Sequence, residues 1–561
     1  MRNFLVILLL AFFLPRIVNA SDVTRSNNKF GIHLAQPELN DLKKAADLVN
    51  SNGGDWGYVT LVMQDNERDR GKWQEVMDRL RELHLIPIIR LATHPEGATW
   101  ARPKIEQVGE WADFLDSLNW VVKDRYVILF NEPNHAGEWG GKVDPKNYSE
   151  TAKIFAQKLK DKNNNYFVML AGMDASAPSV GSELMEEENF LRETIDNITI
   201  QQFNNLFSGL SSHSYPNPGF VGSPYNVGKG TVHTYQWEED LLSELGVKDL
   251  PVFITETGWD ESRMPEGAVA ANILAAYQNV WLTDSRVVAV TPFVLNYQSE
   301  PFAKFSWSKM GNEDFYSQYF QVQNLYKKKG DPEIIDKGNL SEDIARQLVA
   351  HSNYHFSVSL ENHGQAIWDK GGGYRLEIEN FDPSLYLFSN LKNIKPGQEE
   401  QVDLYLKTNS LVGKKNIQVK LVKDKQTILS SKQIGLNIIP LPSLRFKTGL
   451  FPKLKTEGNN FEVQIFDTKQ QLIFKKSGLT VKNRQGFIDE VQNIALDRKY
   501  RLVILKPYYL PRQQFLVFHQ GVNLITFKSM YPLDFNRDGK FDFADLTSLI
   551  KQPKLFLLLL P

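Results

Sequence analysis

An N-terminal α/β (β/α)8 barrel, two all-β sandwich domains and a short EF-hand-like tail make up the architecture the sequence predicts. Three observations lead to it. Between about Lys29 and Lys328, short β-prone apolar runs alternate with helical patterns, and eight such runs can be counted. After Tyr354 the helical period disappears and alternating apolar and polar residues take over, separated by turn signals. Near the end, Asp and Asn residues recur at the spacing of a calcium loop.

Taken in order, residues 1–20 read as a secretory signal. Arg2 supplies charge, Phe4 to Leu14 are apolar, and Val18-Asn19-Ala20 suits cleavage before Ser21. An uncleaved N-terminal anchor is the alternative. Residues 21–329 form the predicted TIM-barrel domain. Its candidate strands are Phe30–Leu34, Gly57–Met63, Ile86–Leu91, Tyr126–Phe130, Tyr166–Ala171, Gly209–Ser214, Val252–Thr255 and Val290–Leu295. Between them, Leu39, Leu42, Ala46 and Val49 recur at helical steps, with Gly53 as a stop. Tyr148, Ala152, Phe155 and Leu159 do the same, and Trp73–His84 and Ala268–Leu282 are further helices. A doubly wound open sheet is the rival fold, but no Gly-rich phosphate turn follows the first strand.

Residues 330–353 read as a polar linker with one short helix. Residues 354–442 carry alternating runs such as Phe356–Leu360 and Gln401–Leu406, with turns at Gly371-Gly-Gly373 and Pro396-Gly397, the pattern of an Ig-like sandwich. A second sandwich covers 443–530 and is rich in cations, including Lys453, Lys455, Lys475 and Lys476. A solvated strand face explains these, and contact with a polysaccharide or cell surface is the functional alternative. Residues 531–552 hold the calcium-like loop and a helix over Ala544–Ile550.

Composition narrows the function. A chain of 561 residues exceeds one core. A net charge of −2 gives no argument for nucleic acid as a partner. The absence of cysteine removes disulfides, thiolate nucleophiles and thiolate metal sites. Aromatic residues are plentiful, with 34 Phe, 20 Tyr and 11 Trp, which suits sugar-binding clefts as well as large cores.

Two of the predicted strands end in glutamate: Val127-Ile-Leu-Phe-Asn131-Glu132-Pro133 and Val252-Phe-Ile-Thr-Glu256-Thr-Gly258-Trp259. A carboxylate at the mouth of a buried strand is costly unless paired or used. Two of them facing each other across a barrel rim are the working parts of glycoside hydrolysis, which needs a proton donor and a carboxylate for the developing positive charge. Glu132 is the candidate donor and Glu256 the candidate nucleophile. Asn131 can hydrogen-bond a sugar hydroxyl beside the reacting carbon. Arg90 ends the third strand and can hold Glu256 ionised, while His213 and Tyr215 end the sixth. Trp259, Tyr297 and Trp307 are candidate sugar platforms, with Trp100 and Trp139 near the same mouth. His33, His94, His135 and Glu138 also lie there, without an assigned role.

Asn131-Glu132-Pro133, Thr255-Glu256-Thr-Gly-Trp259, Arg90 and His213-Ser-Tyr215 together resemble the motifs of clan A glycoside hydrolases, with family-five cellulase-type and family-thirty-nine-type enzymes nearest. The resemblance covers roughly Phe30 to Trp307. It implies a carbohydrate substrate and a retaining mechanism, with a covalent glycosyl-enzyme on Glu256. The sequence departs from the pattern at the eighth strand, where many members carry tryptophan and this chain has Thr291-Pro-Phe-Val-Leu-Asn-Tyr297. A non-catalytic glycan-binding or surface protein on the same scaffold, and a transglycosidase, are the alternative functions. No organic cofactor is implied, and the expected location is secreted or cell-surface.

In the tail, Asp534, Asn536, Asp538, Asp542 and Asp545 occupy positions 1, 3, 5, 9 and 12 of an EF-hand-like loop, with Gly539 at position 6 and the Lys540 carbonyl at 7. Hard oxygen ligands at this spacing suit Ca2+. The loop resembles half of a dockerin repeat. A complete dockerin has two loops, so the single loop argues for a calcium clip rather than cohesin docking. Trp368 faintly resembles the exposed tryptophan of Ig-like modules, and a spacer role for these domains is the plainer reading.

Overall fold

The computed structural model describes residues 25–311, 314–379, 386–389, 391–410, 412–451 and 457–558. The predicted signal, Lys453 and Lys455 lie outside these residues. The chain divides into two compact units, one ending at Ile335 and one beginning at Asp336.

In the first unit, strands β1 (Gly31–Leu34), β2 (Gly57–Gln64), β3 (Leu85–Ala92), β4 (Arg125–Leu129) and β5 (Tyr166–Leu170) pair in chain order, all parallel. Strands β6 (Leu210–His213), β7 (Val252–Glu256) and β8 (Val287–Val290) continue the series, also parallel. Parallel bridges Met169–Gly209 and Phe30–Val290 join β5 to β6 and β1 to β8, which closes the barrel. Strands covered on both faces need continuous apolar runs, and β7 is buried at all five positions.

The helices between strands form where the apolar period and the caps agree. Helix α1 (Leu39–Val49) buries Leu42, Ala45, Leu48 and Val49. Helix α2 (Arg70–Glu82) begins at Asp69, whose side chain accepts from the Lys72 amide. Helix α3 (Val108–Ser117) follows β3. Helix α4 (Pro145–Lys162) starts with proline in its first turn, behind an Asp144 cap. Helices α5 (Glu187–Ile198), α6 (Ile200–Leu206), α7 (Thr234–Glu244), α8 (Glu266–Ala276) and α9 (Ser317–Gln323) complete the unit, with a π-turn over Tyr277–Trp281 after α8.

The last strand differs from expectation. It runs over Val287–Val290, not Val290–Leu295. Pro292 has no N–H to offer a ladder. The residues after Val290 continue irregularly between β1 and β7, where the His33 amide donates to the Pro292 carbonyl at 3.0 Å, the Leu295 amide to the His33 carbonyl at 2.9 Å and the Phe293 amide to the Thr257 carbonyl at 2.9 Å.

The two ends of the barrel are built from different chemistry. Near the strand N-termini, Tyr58, Tyr126, Phe167 and Phe253 come from β2, β4, β5 and β7 and touch across the interior, with ring centroids 5.1 to 6.4 Å apart. Above them the lining turns polar: the hydroxyls of Thr60 and Thr291 are 2.8 Å apart, and those of Ser211 and Thr255 are 2.7 Å apart.

In the second unit, β9 (Gly338–Glu342), β10 (Gln347–Val349), β11 (Asn353–Asn362), β12 (Tyr374–Glu379), β13 (Tyr386–Ser389), β14 (Glu399–Lys407), β15 (Gly413–Lys423), β16 (Gln426–Ser430) and β17 (Ile434–Ile439) form two sheets. Their orders are β9-β11-β14-β13 and β10-β17-β15-β12, with β16 on β15. Then β18 (Ser443–Lys447), β19 (Gly458–Phe466), β20 (Leu472–Val481), β21 (Gln485–Ile488), β22 (Lys499–Lys506), β23 (Tyr509–Val517) and β24 (Val522–Thr526) form sheets β21-β18-β24 and β20-β19-β22-β23.

The stretch read as a linker is a correction. Residues 336–353 contain β9 and β10 and no helix, because each finds a ladder partner, β11 and β17 respectively. Trp368 is fully buried, and its indole donates to Asp336 at 2.9 Å, so it offers no exposed platform. Helix α10 (Phe543–Lys551) begins with a reciprocal capping box between Asp542 and Asp545. Phe535, Leu549 and Leu555 pack together beneath it.

Candidate active site

The mouth of the barrel holds a cavity of about 320 Å3. Arg90, Asn131, Glu132, Tyr215 and Glu256 line it. Each stands at or just past the end of its strand, where a (β/α)8 barrel assembles its functional groups.

Two local distortions aim the carboxylates. Along β7, Phe253 belongs to the interior ring cluster and Thr255 meets Ser211, so strict alternation would turn Glu256 away from the interior. The register between β6 and β7 slips at this point: Ser212 pairs with Ile254, but His213 pairs with Glu256. A bulge of one residue exchanges faces and re-aims the side chain into the mouth. After β4, Phe130 and Glu132 have φ of 74° and 31°, left-handed values that cost a non-glycine residue. The Glu132 amide is pinned there, donating to the Gly172 carbonyl at 3.1 Å.

Glu256 is buried and fully engaged. Oε1 takes Arg90 Nη1, and Oε2 accepts from the Tyr215 hydroxyl at 3.1 Å. Burial works to raise its carboxyl. The charges of His213, Arg90 and His33 and the tyrosine hydrogen bond outweigh it and hold the group at about 2. The same Arg90 nitrogen donates to Asn131 Oδ1 at 2.5 Å. Burial followed by the Glu256 charge pushes the Tyr215 hydroxyl well up, so it stays a donor.

Glu132 faces the nucleophile candidate through His213. His213 Nδ1 is 2.7 Å from Glu132 Oε1 and 3.8 Å from Glu256 Oε2. Burial opposes charge on this imidazole, but the two glutamates win and move it up. One ligand atom from each of Glu132, His213 and Glu256 lies within 4.8 Å of the others. A divalent cation could be held by such a triad. Here Arg90, Tyr215 and His213 already occupy those oxygens, which makes the group a hydrogen-bonded acid pair. Gly172 leaves room for the imidazole: a Cβ there would sit 2.2 Å from His213 Cδ2.

Of the predicted mouth aromatics, Trp100 and Trp139 line the cavity, whereas Trp259, Tyr297 and Trp307 do not. Trp259 is 1% exposed, with its indole donating to the Gly222 carbonyl at 2.8 Å, and Trp307 is 2% exposed. Tyr297 lies outside the lining, edge-on to Phe302. Phe220, Phe293, Phe302, Phe305 and Trp100 form the aromatic wall instead. Phe293 stands just after β8, and its pocket-facing role had no signal in the sequence.

His135, Glu138, Asp174 and Thr93 also line the cavity without having been assigned a role. His135 pairs with Asp174 at 2.8 Å. Glu138 lies six residues past Glu132 on the same mouth loop. Its carboxyl is pushed up to about 7, first by burial and then by the Glu132 charge. His33 lies beneath the site, buried, with no partner for either ring nitrogen, and burial and Arg90 push it down to about 3. His94 is paired with Asp65.

In the tail, the Gly539 amide donates to Asp534 Oδ2 at 3.2 Å, while the buried Asp534 Oδ1 has no partner. Asp545 accepts the amides of Asn536 and Asp542, and Asp542 caps α10. These two therefore shape the loop, and so do Asn536, whose amide nitrogen donates to Asp538 Oδ2 at 2.9 Å, and Asp538, which accepts the Lys540 amide at 2.9 Å. Gly539 has φ of 84°, the turn such a loop requires.

No protein-family model matches this chain, and no curated protein matches it. Solved structures similar to it include a family 39 glycoside hydrolase from the gut symbiont Bacteroides cellulosilyticus, with 14% identity over 70% of this chain and 82% of that one and a TM-score of 0.39. A glucosidase from Croceicoccus marinus shares 11% identity over 85% of this chain and 96% of its own, at a TM-score of 0.39. A β-mannanase from Streptomyces thermolilacinus, solved with mannohexaose, shares 16% identity over 53% of this chain and 86% of its own, at 0.34.

Proposed function

We propose that this chain is a secreted or cell-surface retaining glycoside hydrolase acting on O-glycosidic bonds of a polysaccharide or oligosaccharide. The observation that carries the reading is the acid pair: oxygens of Glu132 and Glu256 within 4.8 Å of each other at the barrel mouth. Carboxyls separated by about 5 Å leave no room for a water between them, which supports nucleophilic attack over inversion.

In this reading Glu256, ionised and steadied by Arg90 and Tyr215, attacks the anomeric carbon while Glu132 protonates the leaving oxygen. Glu132 then takes a proton from water, which releases the sugar from Glu256. His213 orients Glu132, and Asn131 binds the hydroxyl next to the reacting carbon. The wall of phenyl rings gives the sugar's C–H faces an apolar surface. The N-terminal stretch of Arg2 to Ala20 supports export.

The test compares wild type with E256Q on a panel of plant, fungal and bacterial glycans. Sugar release by E256Q should fall about a thousandfold or more. Equal release from both proteins would remove the enzyme reading. The anomeric configuration of the first product, followed by NMR, tests retention separately. Products longer than the starting oligosaccharide would mark a transglycosidase.

We also propose that the 534–545 loop binds Ca2+, on the evidence of its partnerless buried carboxylate oxygen. Burial and the nearby Asp545 and Asp538 charges raise the Asp534 carboxyl, and a cation would relieve both. Calcium at about a hundred times its dissociation constant should stabilise the second unit by about 2.7 kcal/mol relative to chelator. Thermal melting of wild type and D534N checks this, and a calcium effect equal in both would rule the loop out.

A further inference from the structure

The cations of the second sandwich are not used by the proposed reaction, and they are concentrated. Residues 443–530 hold 15 Lys and Arg against 6 Asp and Glu, while the whole chain carries −2. Among the described residues the ion pairs of this stretch are Lys475 with Glu462 at 3.1 Å and Arg498 with Asp343 at 2.7 Å, and neither Lys499 nor Arg501 takes part in one.

Strand register gathers these two cations with two phenyl rings on one face. In the sheet β20-β19-β22-β23, Leu472 pairs with Phe466, Phe466 with Arg501, and Arg501 with Phe515. Side chains directly opposite share a face, so these four form a row across the sheet. Their chain neighbours Ile465 and Leu502 are fully buried, which turns the row outward. Phe515 is 53% exposed and Leu472 49% exposed. Arg501 lies over the Phe466 ring, 4.2 Å from its centroid, and Lys499 lies over Phe515 at 5.0 Å. The Arg501 guanidinium also donates to the side-chain carbonyls of Gln470 at 2.7 Å and Gln513 at 3.4 Å, which fixes its plane. Phe466 and Phe515 are two strands apart, which sets them about 10 Å from each other.

A solvated strand face needs neither exposed phenyl rings nor a guanidinium held in one orientation. A polymer that alternates C–H surface with fixed negative charge uses both. An acidic sugar offers its C–H face to a ring and its carboxylate to a guanidinium, whose planar fork matches that group. A neutral polysaccharide would leave the cations unused.

We propose that this row is a binding strip for an acidic polysaccharide, with Arg501 and Lys499 meeting uronate carboxylates and Phe466 and Phe515 meeting the sugar rings. The charge complementarity stands on its own. The choice of a polysaccharide over other polyanions rests on the export and glycosidase reading above. The strip adds to that reading a second contact with carbohydrate, separate from Glu132 and Glu256.

The experiment is native affinity electrophoresis of the full-length protein, with polygalacturonate, neutral dextran, DNA or no polymer in the gel. Wild type should be retarded by polygalacturonate and not by dextran, and the retardation should fade as salt screens the contact. K499A/R501A should weaken binding about tenfold or more, and F515A about threefold or more. K482A/R484A removes the same charge elsewhere in the domain and should stay within about twofold of wild type. Melting curves confirm that each variant is folded, and R501Q replaces R501A should the double variant not fold. None of these residues lines the barrel cavity, so kcat/KM on a small aryl glycoside should be unchanged in all of them.

Absence of retardation by polygalacturonate, equal retardation by dextran, or tighter retention by DNA would each overturn the strip. Equal losses in K482A/R484A and K499A/R501A would do the same, since net charge alone would then account for binding. Folded protein that binds polygalacturonate through these residues yet cleaves no glycoside would remove the glycosidase reading and leave the strip in place.

Discussion

Arg90 serves two partners with one nitrogen, Glu256 and the Asn131 carbonyl. A guanidinium can do this because its planar fork is pre-organised, whereas a lysine ammonium is a point charge on a flexible stem. R90K should therefore keep the charge and lose the geometry. With weaker support for the ionised form, the Glu256 carboxyl should rise from about 2, and the acid limb of the pH profile of kcat/KM should move up by about one unit or more. Activity is then lost first at low pH. An acid limb in the same place would show that Arg90 does not set it. The six polar residues Arg90, Asn131, Glu132, His213, Tyr215 and Glu256 were legible in the sequence because each ends a strand, and strand ends converge. Of the aromatic wall, only Trp100 was. Whether Phe293 or Tyr297 faces the cavity is decided by the irregular backbone after Val290, and composition carries no information about that path.

Helices α5 and α7 bring a second pair of acids together, Glu187 and Glu238, both buried. Among the described residues neither Glu187 oxygen has a hydrogen-bond partner, nor does Glu238 Oε2, and the nearby His213 charge offsets only part of the burial at Glu238. Burial raises both carboxyls, and for Glu187 the neighbouring Glu238 charge adds to it. A carboxyl raised in the folded state binds its proton more tightly there than when unfolded. The stability it contributes is complete below the unfolded value and is lost as pH rises through the folded one. E238Q keeps the shape and removes one titration, so it should melt higher than wild type at pH 9 and lose that advantage at pH 5. A difference independent of pH would mean that these carboxyls are not its source. The elements themselves were largely visible in the sequence, since a fully buried strand and an amphipathic helix each have their own period. Helix α1 spans the residues its apolar period marked. The bulge at Thr255 left no trace, because one inserted residue does not change a continuous apolar run. The strands at 338–349 were hidden for the opposite reason. They are short and polar on alternate sides, and only their partners make them strands.

At the scale of the whole molecule, the barrel separates stability from chemistry along its axis. The ring cluster of Tyr58, Tyr126, Phe167 and Phe253 closes one end, and the acid pair occupies the other. The sequence reading ended this barrel at residue 329, whereas the first unit ends at Ile335. The difference lies in the packing of Ile334 against the barrel core, an exposed Arg25–Asp331 ion pair and four shorter bonds. The Gly330 amide donates to the Asp55 carbonyl at 3.0 Å, and the Asp331 amide to the Ser26 carbonyl at 2.8 Å. The Lys123 amide donates to the Glu333 carbonyl at 2.8 Å, and its ammonium meets the Glu333 carboxylate at 2.7 Å. These residues stitch the exit of the chain to the loops at the strand N-termini, far from the mouth. A chain stopped after Ile335 should therefore fold and hydrolyse as the full-length protein does. One stopped after Lys329 should lose about 2 to 5 kcal/mol of stability, since each backbone hydrogen bond is worth about 1 kcal/mol net, the exposed ion pairs less, and the part-buried Ile334 about 1 to 2 kcal/mol more. Its kcat/KM at a temperature where it remains folded should be unchanged, because nothing in the cavity lining touches the deleted segment. Thermal melts and one glycosidase assay on the two truncated chains check both halves of this. Equal melting temperatures would place the boundary at 329 after all, and a fall in kcat/KM for the shorter chain would mean that the two ends of the barrel are not independent.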